Sequence, residues 1–397
     1  MPALKANKTA IGIKLQSAEG TFDAPNSTTD LQPCSNLNLS IQGVTTQNPE
    51  YTGSVNMNGD EVSGKNVTIS FNINMRPPGG ADVPAANAYV PGRLLQGAKF
   101  TELRTTAPVP AAAEAATSPT TNSVTLNGAV ATADLYKGMA IRLFGNGATL
   151  PKQMTAIRSY TAGKVATLVE TLTAVPTGNY HIPKQLGYVR SIDESDPPFL
   201  SLKVWIAGKR YDLKDCTVSG LRMVLPVSTR DQAAIPMWEF TLTATIDATA
   251  DEATPSIPAL GPTPKWKDGD FSVANKYVGG SNLTVDLGLR VAFPPNPNKP
   301  DGSDAGQLVE SKASLNMDRH AYLKADFDTL AMADAQAQHP VFAQWGYTAG
   351  NMVQIVIPDA RFNYQNVALG GEFVTENGDM FIDVFARNVC VNFAYPA

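Results

Sequence analysis

The stretch "VTISFNINM" at 67–75 alternates without a fault. Val67, Ile69, Phe71, Ile73 and Met75 fall on one side; Thr68, Ser70, Asn72 and Asn74 fall on the other. A period of two marks a β-strand with one buried face. The alternation returns in "NLNLSI" (36–41), "LSLKVWI" (200–206), "WEFTLTATI" (238–246) and "LTVDLGLRVAF" (283–293), with Pro and Gly clusters between these runs. Helical signal is confined to a short stretch near 93–98 and an Ala-rich one near 326–338. The chain reads as mainly β. In the opening stretch the polar side carries no charge at all, so what that side meets becomes the question for the rest of the sequence.

Composition narrows the answer. Charged residues make up 17% of the chain, against ~25% in typical soluble domains. Thr, Ser, Asn, Gly and Pro must therefore cover much of the surface. Net charge is −5 and no block of Lys or Arg occurs. Tight wrapping of a nucleic-acid backbone needs clustered cations, so stable DNA binding is disfavoured. Cys34, Cys216 and Cys390 are far apart and lack metal-ligand spacing, which predicts reduced, buried thiols. "MPALKANKTAIGIKLQ" has no apolar signal core, and no run of ~18 apolar residues exists. The expectation is a protein made in, or assembled in, a cytoplasm, without membrane insertion.

The 397 residues leave room for two or three domains. Residues 106–122, "TAPVPAAAEAATSPTTN", read as a linker, and so does the proline-rich 254–270. Between the first linker and about residue 185 lies a compact β-like unit. Outside it, three segments repeat. "SNLNLSI" (35–41) matches "SNLTVDL" (281–287) at an offset of 246. "DCTVSGLRMVLPV" (215–227) matches "DARFNYQNVALG" (359–370) at 144, and "MWEFTLTATI" (237–246) matches "MFIDVFARN" (380–388) at 143. The offset falls by 246 − 144 = 102 residues, the size of one inserted segment. The expected organisation is a β-domain at 1–103 plus 185–253, a linker and inserted β-module at 104–184, and a second copy of the domain at 254–397.

No motif carries catalysis. "GNGATLPK" (145–152) lacks the Lys-Ser/Thr of a P-loop and is followed by a β-like run, so a turn between strands is expected. The acidic loops "SIDESDPP", "NGDE" and "DGSDAG" lack calcium-loop spacing. His181, His320 and His339 sit beside no nucleophile elbow or metal ligand. No catalytic, cofactor or metal site is expected, and the chain does not read as an enzyme.

Several segments resemble the major tail tube proteins of long-tailed phages: "ALKANKTAIGIKLQSAEGTF" (3–22), "LNLSIQGVTTQNPEYTGS" (37–54), "VTISFNINMRPPGG" (67–80), "YVPGRLLQGAKF" (89–100) and 211–246. The unit at 124–182 resembles a small β-module of phage structural proteins. The repeat resembles the tandem-domain variety, in which three chains form a pseudo-sixfold ring. The resemblance implies two tandem sandwich or barrel domains, each with a short helix, and an outer decorating module. It implies a virion protein, assembled in the host cytoplasm as stacked homotrimeric rings. Its expected partners are itself, the tape-measure protein and passing DNA in the lumen, and tail tip and terminator proteins. Thr68, Ser70, Asn72, Asn74, Thr241 and Thr243 would face the lumen. Asn48, Glu50, Tyr51, Asn56, Asn58, Asp60 and Glu61 in one loop, and Asn296, Asn298, Lys299 and Asp301 in its counterpart, would touch the next ring. A surface adhesin built from β-domains, or another phage head or baseplate component, is the alternative; a β-rich hydrolase lacks an acid–base constellation.

Overall fold

The computed structural model describes residues 8–47, 50, 59–144, 154–257, 260–299, 302–369 and 372–395. The protein is mainly β. The chain begins with β1 (Thr9–Leu15), β2 (Leu31–Gln32), β3 (Ser35–Thr46), β4 (Glu61–Asn74), α1 (Val90–Gly97) and β5 (Phe100–Thr105). There follow β6 (Val109–Ala115), β7 (Ser123–Thr125), β8 (Ala140–Leu143), β9 (Met154–Tyr160), β10 (Val165–Leu168) and β11 (Asn179–Ile182). Next come β12 (Lys184–Arg190), β13 (Leu200–Ile206), β14 (Lys209–Pro226) and β15 (Met237–Asp251). Then β16 (Asp270–Val273), β17 (Lys276–Tyr277), β18 (Gly280–Asp286), β19 (Leu289–Ala292), β20 (Gln307–Ser311) and β21 (Ser314–His320) lead to α2 (Thr329–Ala335). The chain closes with β22 (Gln338–Trp345), β23 (Met352–Phe362), β24 (Asn366–Ala368), β25 (Thr375–Ile382) and β26 (Cys390–Tyr395).

Two sets of strands pair in the same order. In the first half the ladder runs β1-β13-β14-β15-β4-β3. In the second it runs β16-β22-β23-β25-β21-β18. Starting from the equivalence of Leu39 with Val285, hydrogen-bonded partners can be followed across both ladders. Leu39 pairs with Ile69 and Val285 with Leu315; Ile69 pairs with Leu242 and Leu315 with Met380; Leu242 lies beside Val218 on β14, and Met380 pairs with Phe362. Val218 and Phe362 are also equivalent in the second sequence match, so these two matches agree with the ladders. The third does not. It sets Met380 against Met237, whereas the ladders set it against Leu242. The slip is an odd number of residues and would turn buried positions outward.

The two ladders share one core. Ile69, Phe71, Trp238, Phe240 and Leu221 of the first belong to the same apolar cluster as Leu283, Leu315, Trp345, Ile355 and Phe362 of the second. The sheet itself crosses between them, since β14 pairs with β18 from Arg222↔Asp286 to Pro226↔Asn282. Helix α1 covers one end of this core. Pro91 sits in its first turn, where a missing N–H costs nothing, and Leu94 and Leu95 are fully buried. Helix α2 is shorter than the Ala-rich stretch predicts. Asp328 caps it by accepting from the Ala331 N–H at 3.0 Å, and Gln336 ends it in a left-handed conformation.

Two further expectations are corrected. The stretch read as a linker at 106–122 contains β6, which pairs with β11. The run at 283–293 is not one strand. It breaks at Gly288, whose φ is +52° and where a Cβ would lie 2.3 Å from the Lys312 carbonyl oxygen. Only glycine fits there.

Strands β6 to β11 form a separate six-stranded sheet with its own core of Val124, Ile141, Leu143, Ile157, Tyr160 and Tyr180. Pairing of Thr117 with Thr125 joins its outer strands and closes it into a small barrel. This unit packs on β22, β23 and β26, whose other face carries Trp345, Ile355 and Phe393 into the main core. Arg158 donates to the carbonyls of Gln338 (2.9 Å) and Pro358 (3.1 Å), and Lys137 pairs with Asp359 at 2.8 Å. Buried Gln354 and Asn392 donate to the carbonyls of Thr155 (3.3 Å) and Gly138 (2.6 Å).

Candidate functional site: a polar sheet face

Opposite the shared core, eight segments present one polar face, in the order β3, β4, β15, the end of β14, β18, β21, β25 and β24. The six sequence-predicted residues fall together on it. Thr68 stands across from Thr243 and Ser70 across from Thr241; Asn72 and Asn74 continue the row along β4. All six are half-buried. Their backs are Val67, Ile69, Phe71, Ile73, Trp238, Phe240 and Leu242, each at most 2% exposed. The apolar side therefore fixes which way the polar side looks.

Sequence reasoning missed how far this face extends. Across the β14·β18 junction it continues through Asn282, Thr284 and Asp286, then Ser314, Asn316 and Asp318, then Asn377 and Asp379. One row crosses both halves as Asn72, Glu239, Arg222, Asp286, Ser314 and Phe381. Arg222 holds Glu239 at 3.1 Å and Asp286 at 3.7 Å. Asn316 donates to Asp379 at 2.9 Å, and Asn377 donates to Asp318. Among these rows Arg222 is the one cation against Glu239, Asp286, Asp318 and Asp379. The first half of the face is close to neutral and the second is acidic. The signal was available in "NLTVDL" and "SLNMDRH", whose alternate residues are polar, but only the pairing shows that they share a surface.

The loop residues divide. Asn48, Tyr51, Asn56, Asn58 and Asp301 lie outside the described residues. Asp60 is exposed, and Glu61 opens β4 opposite Thr46; Glu50 is described and exposed. In the counterpart loop, Asn296 donates to Asp304 at 2.7 Å and accepts from the Asn298 N–H at 3.0 Å. Lys299 reaches Glu19, after β1, at 3.0 Å.

The titratable groups elsewhere are structural in their surroundings. Cys216 and Cys390 are buried and Cys34 is partly so; burial pushes the Cys34 thiol up to about 11 and Cys390 to about 12. His181 meets the Phe144 ring edge-on and His339 the Phe362 ring likewise. Among the described residues, no group of three or more His, Cys, Asp or Glu could hold a metal ion, and no helix is long and apolar enough to cross a membrane. No protein-family model matches the chain, and no curated protein matches it.

Proposed function

We propose that this chain is a structural virion protein whose copies close into homotrimeric rings, and that the rings stack into the tail tube of a long-tailed phage. The observation that carries this reading is the polar face: eight segments wide, backed by a continuous core, and almost without cations. In the ring it lines the channel. Hydroxyls, amides and carboxylates keep the wall wet and give phosphates no counterion-releasing grip, so DNA slides instead of binding. Eight strands from each of three chains make a barrel of twenty-four. At ~4.8 Å between strands and a tilt of ~40°, its backbone diameter is roughly 48 Å, wide enough for a duplex. The small barrel packs on the far side of the core and decorates the outside of the tube. The chain's role is assembly and conduction, not catalysis; it surrounds the tape-measure protein before DNA, and tip and terminator proteins cap the stack.

Electron microscopy of the purified protein, concentrated stepwise and paired with a solution mass measurement, tests the reading. Rings or tubes with a central channel are expected. A closed oligomer without a channel contradicts it.

A further inference from the structure

Among the described residues, the eight-segment face ends in two strand edges without a partner, β3 and β24, and their residues match a junction that the chain already makes with itself. Inside the chain, β14 of the first half meets β18 of the second: Arg222↔Asp286, Met223↔Val285, Val224↔Thr284 and Leu225↔Leu283. Met223, Leu225, Leu283 and Val285 are 0% exposed there. The counterpart of β18 is β3, and among the described residues β3 pairs with β4 alone. The counterpart of the end of β14 is β24. From Val218 to Arg222 the chain advances four residues while β15 retreats three, from Leu242 to Glu239; from Phe362 to Asn366 it again advances four while β25 retreats three, from Met380 to Asn377. The same bulge thus recurs, and Asn366, Val367, Ala368 and Leu369 take the places of Arg222, Met223, Val224 and Leu225.

Those places are apolar where the junction requires it and are uncovered. Val367 is 62% exposed and Leu369 77%, although their counterparts are fully buried. Ile41 on β3 is 46% exposed, while its counterpart Leu287 is buried. A long open edge flanked by exposed aliphatic side chains invites another strand.

We infer that a second copy of this chain covers these edges, β24 of one copy pairing antiparallel with β3 of the next in the register Asn366↔Ser40, Val367↔Leu39, Ala368↔Asn38 and Leu369↔Leu37. The contact is head-to-tail, so each copy uses both edges and the chain of copies must close or grow. It differs from the internal junction in one respect. Arg222 and Asp286 form an ion pair inside the chain, whereas Asn366 and Ser40 are neutral. The interface therefore holds through backbone hydrogen bonds and aliphatic packing, and added salt does not dissolve it.

This inference rests on the ring reading, and cysteine pairs separate the two. Opposite residues of an antiparallel ladder stand about 4.5–5.5 Å apart at Cα, within disulfide reach. In a Cys34→Ser background, the full-length chain is made with Leu39→Cys and Val367→Cys, and separately with the exposed pair Asn38→Cys and Ala368→Cys, which leaves the core untouched. Oxidation is expected to yield covalent dimers and trimers from either pair, and none from Leu39→Cys combined with Phe373→Cys. Val367→Asp is expected to raise the concentration needed for assembly at least about tenfold, through burial of an unpaired charge, without lowering the Tm of the single chain. Rings in the microscope without cross-links from either pair overturn the register and leave the tube reading standing. Cross-links in oligomers that have no channel uphold the pairing and overturn the tube. A monomer that neither cross-links nor assembles overturns both.

Discussion

Ile73 and Arg319 show how one backbone position can be filled in two ways. Ile73 and Trp238 face each other across β4 and β15; the counterparts on β21 and β25 are Arg319 and Glu376, which form an ion pair. The Arg319 side chain is fully buried and lies over the Phe327 ring at 4.7 Å. Removing either partner strands a buried charge, so Arg319→Ala or Glu376→Ala should cost about 3–5 kcal/mol in urea unfolding. Replacing both, Arg319→Ile with Glu376→Trp, should recover most of that loss, because it restores the apolar pair that the first half already packs. Glu170 is the second informative residue. It sits between the small barrel and Asn275, and burial, with Asp270 adding like charge, pushes its carboxyl up to about 7. Its folded pKa is raised above the unfolded value, so the folded chain holds an extra proton between about pH 4.5 and 7. Stability from this group should therefore fall as pH rises through that window, by up to about 3 kcal/mol. Glu170→Gln should flatten that slope and raise the Tm at pH 8.

At the scale of elements, the alternating strands β4 and β15 were legible from their side chains alone, since one apolar and one polar face leave a single register. Strands β22, β23 and β26 were not. "VFAQW", "MVQIVI" and "CVNFAY" lack clean alternation because one face meets the main core and the other the small barrel, and both-face burial erases the period. The sequence match at β25 slipped for another reason: "MFIDVF" carries apolar residues on its exposed side as well, Phe381 among them, and only the ladder to β21 chooses between the two registers. The break at Gly288 was hidden because apolar spacing continues across it. Gly288→Val should force that turn open and lower stability by about 1–3 kcal/mol, read as a Tm shift. The polar residues of β4 and β15 share one sheet face. Their partners on β18, β21 and β25 lie more than 200 positions from β4 in the chain and could be joined to them only by the fold.

For the whole molecule, the proposed conduit depends on the charge of the polar face. Asp286→Lys, Asp318→Lys and Asp379→Lys together would replace acids by cations around the wall while leaving the buried sides of their strands unchanged. Assembled wild-type protein should not retain duplex DNA at low salt. The triple variant should assemble and retain it, with release steepening as salt rises. The central claim is that this face looks inward, and a cryo-EM reconstruction of the assembled rings tests it most directly. The account predicts threefold rings whose channel is lined by Ser70, Asn72, Thr241, Asn316 and Asp379, with the small barrel outermost. A ring that turns those residues outward, or buries them against a neighbouring copy, would contradict it.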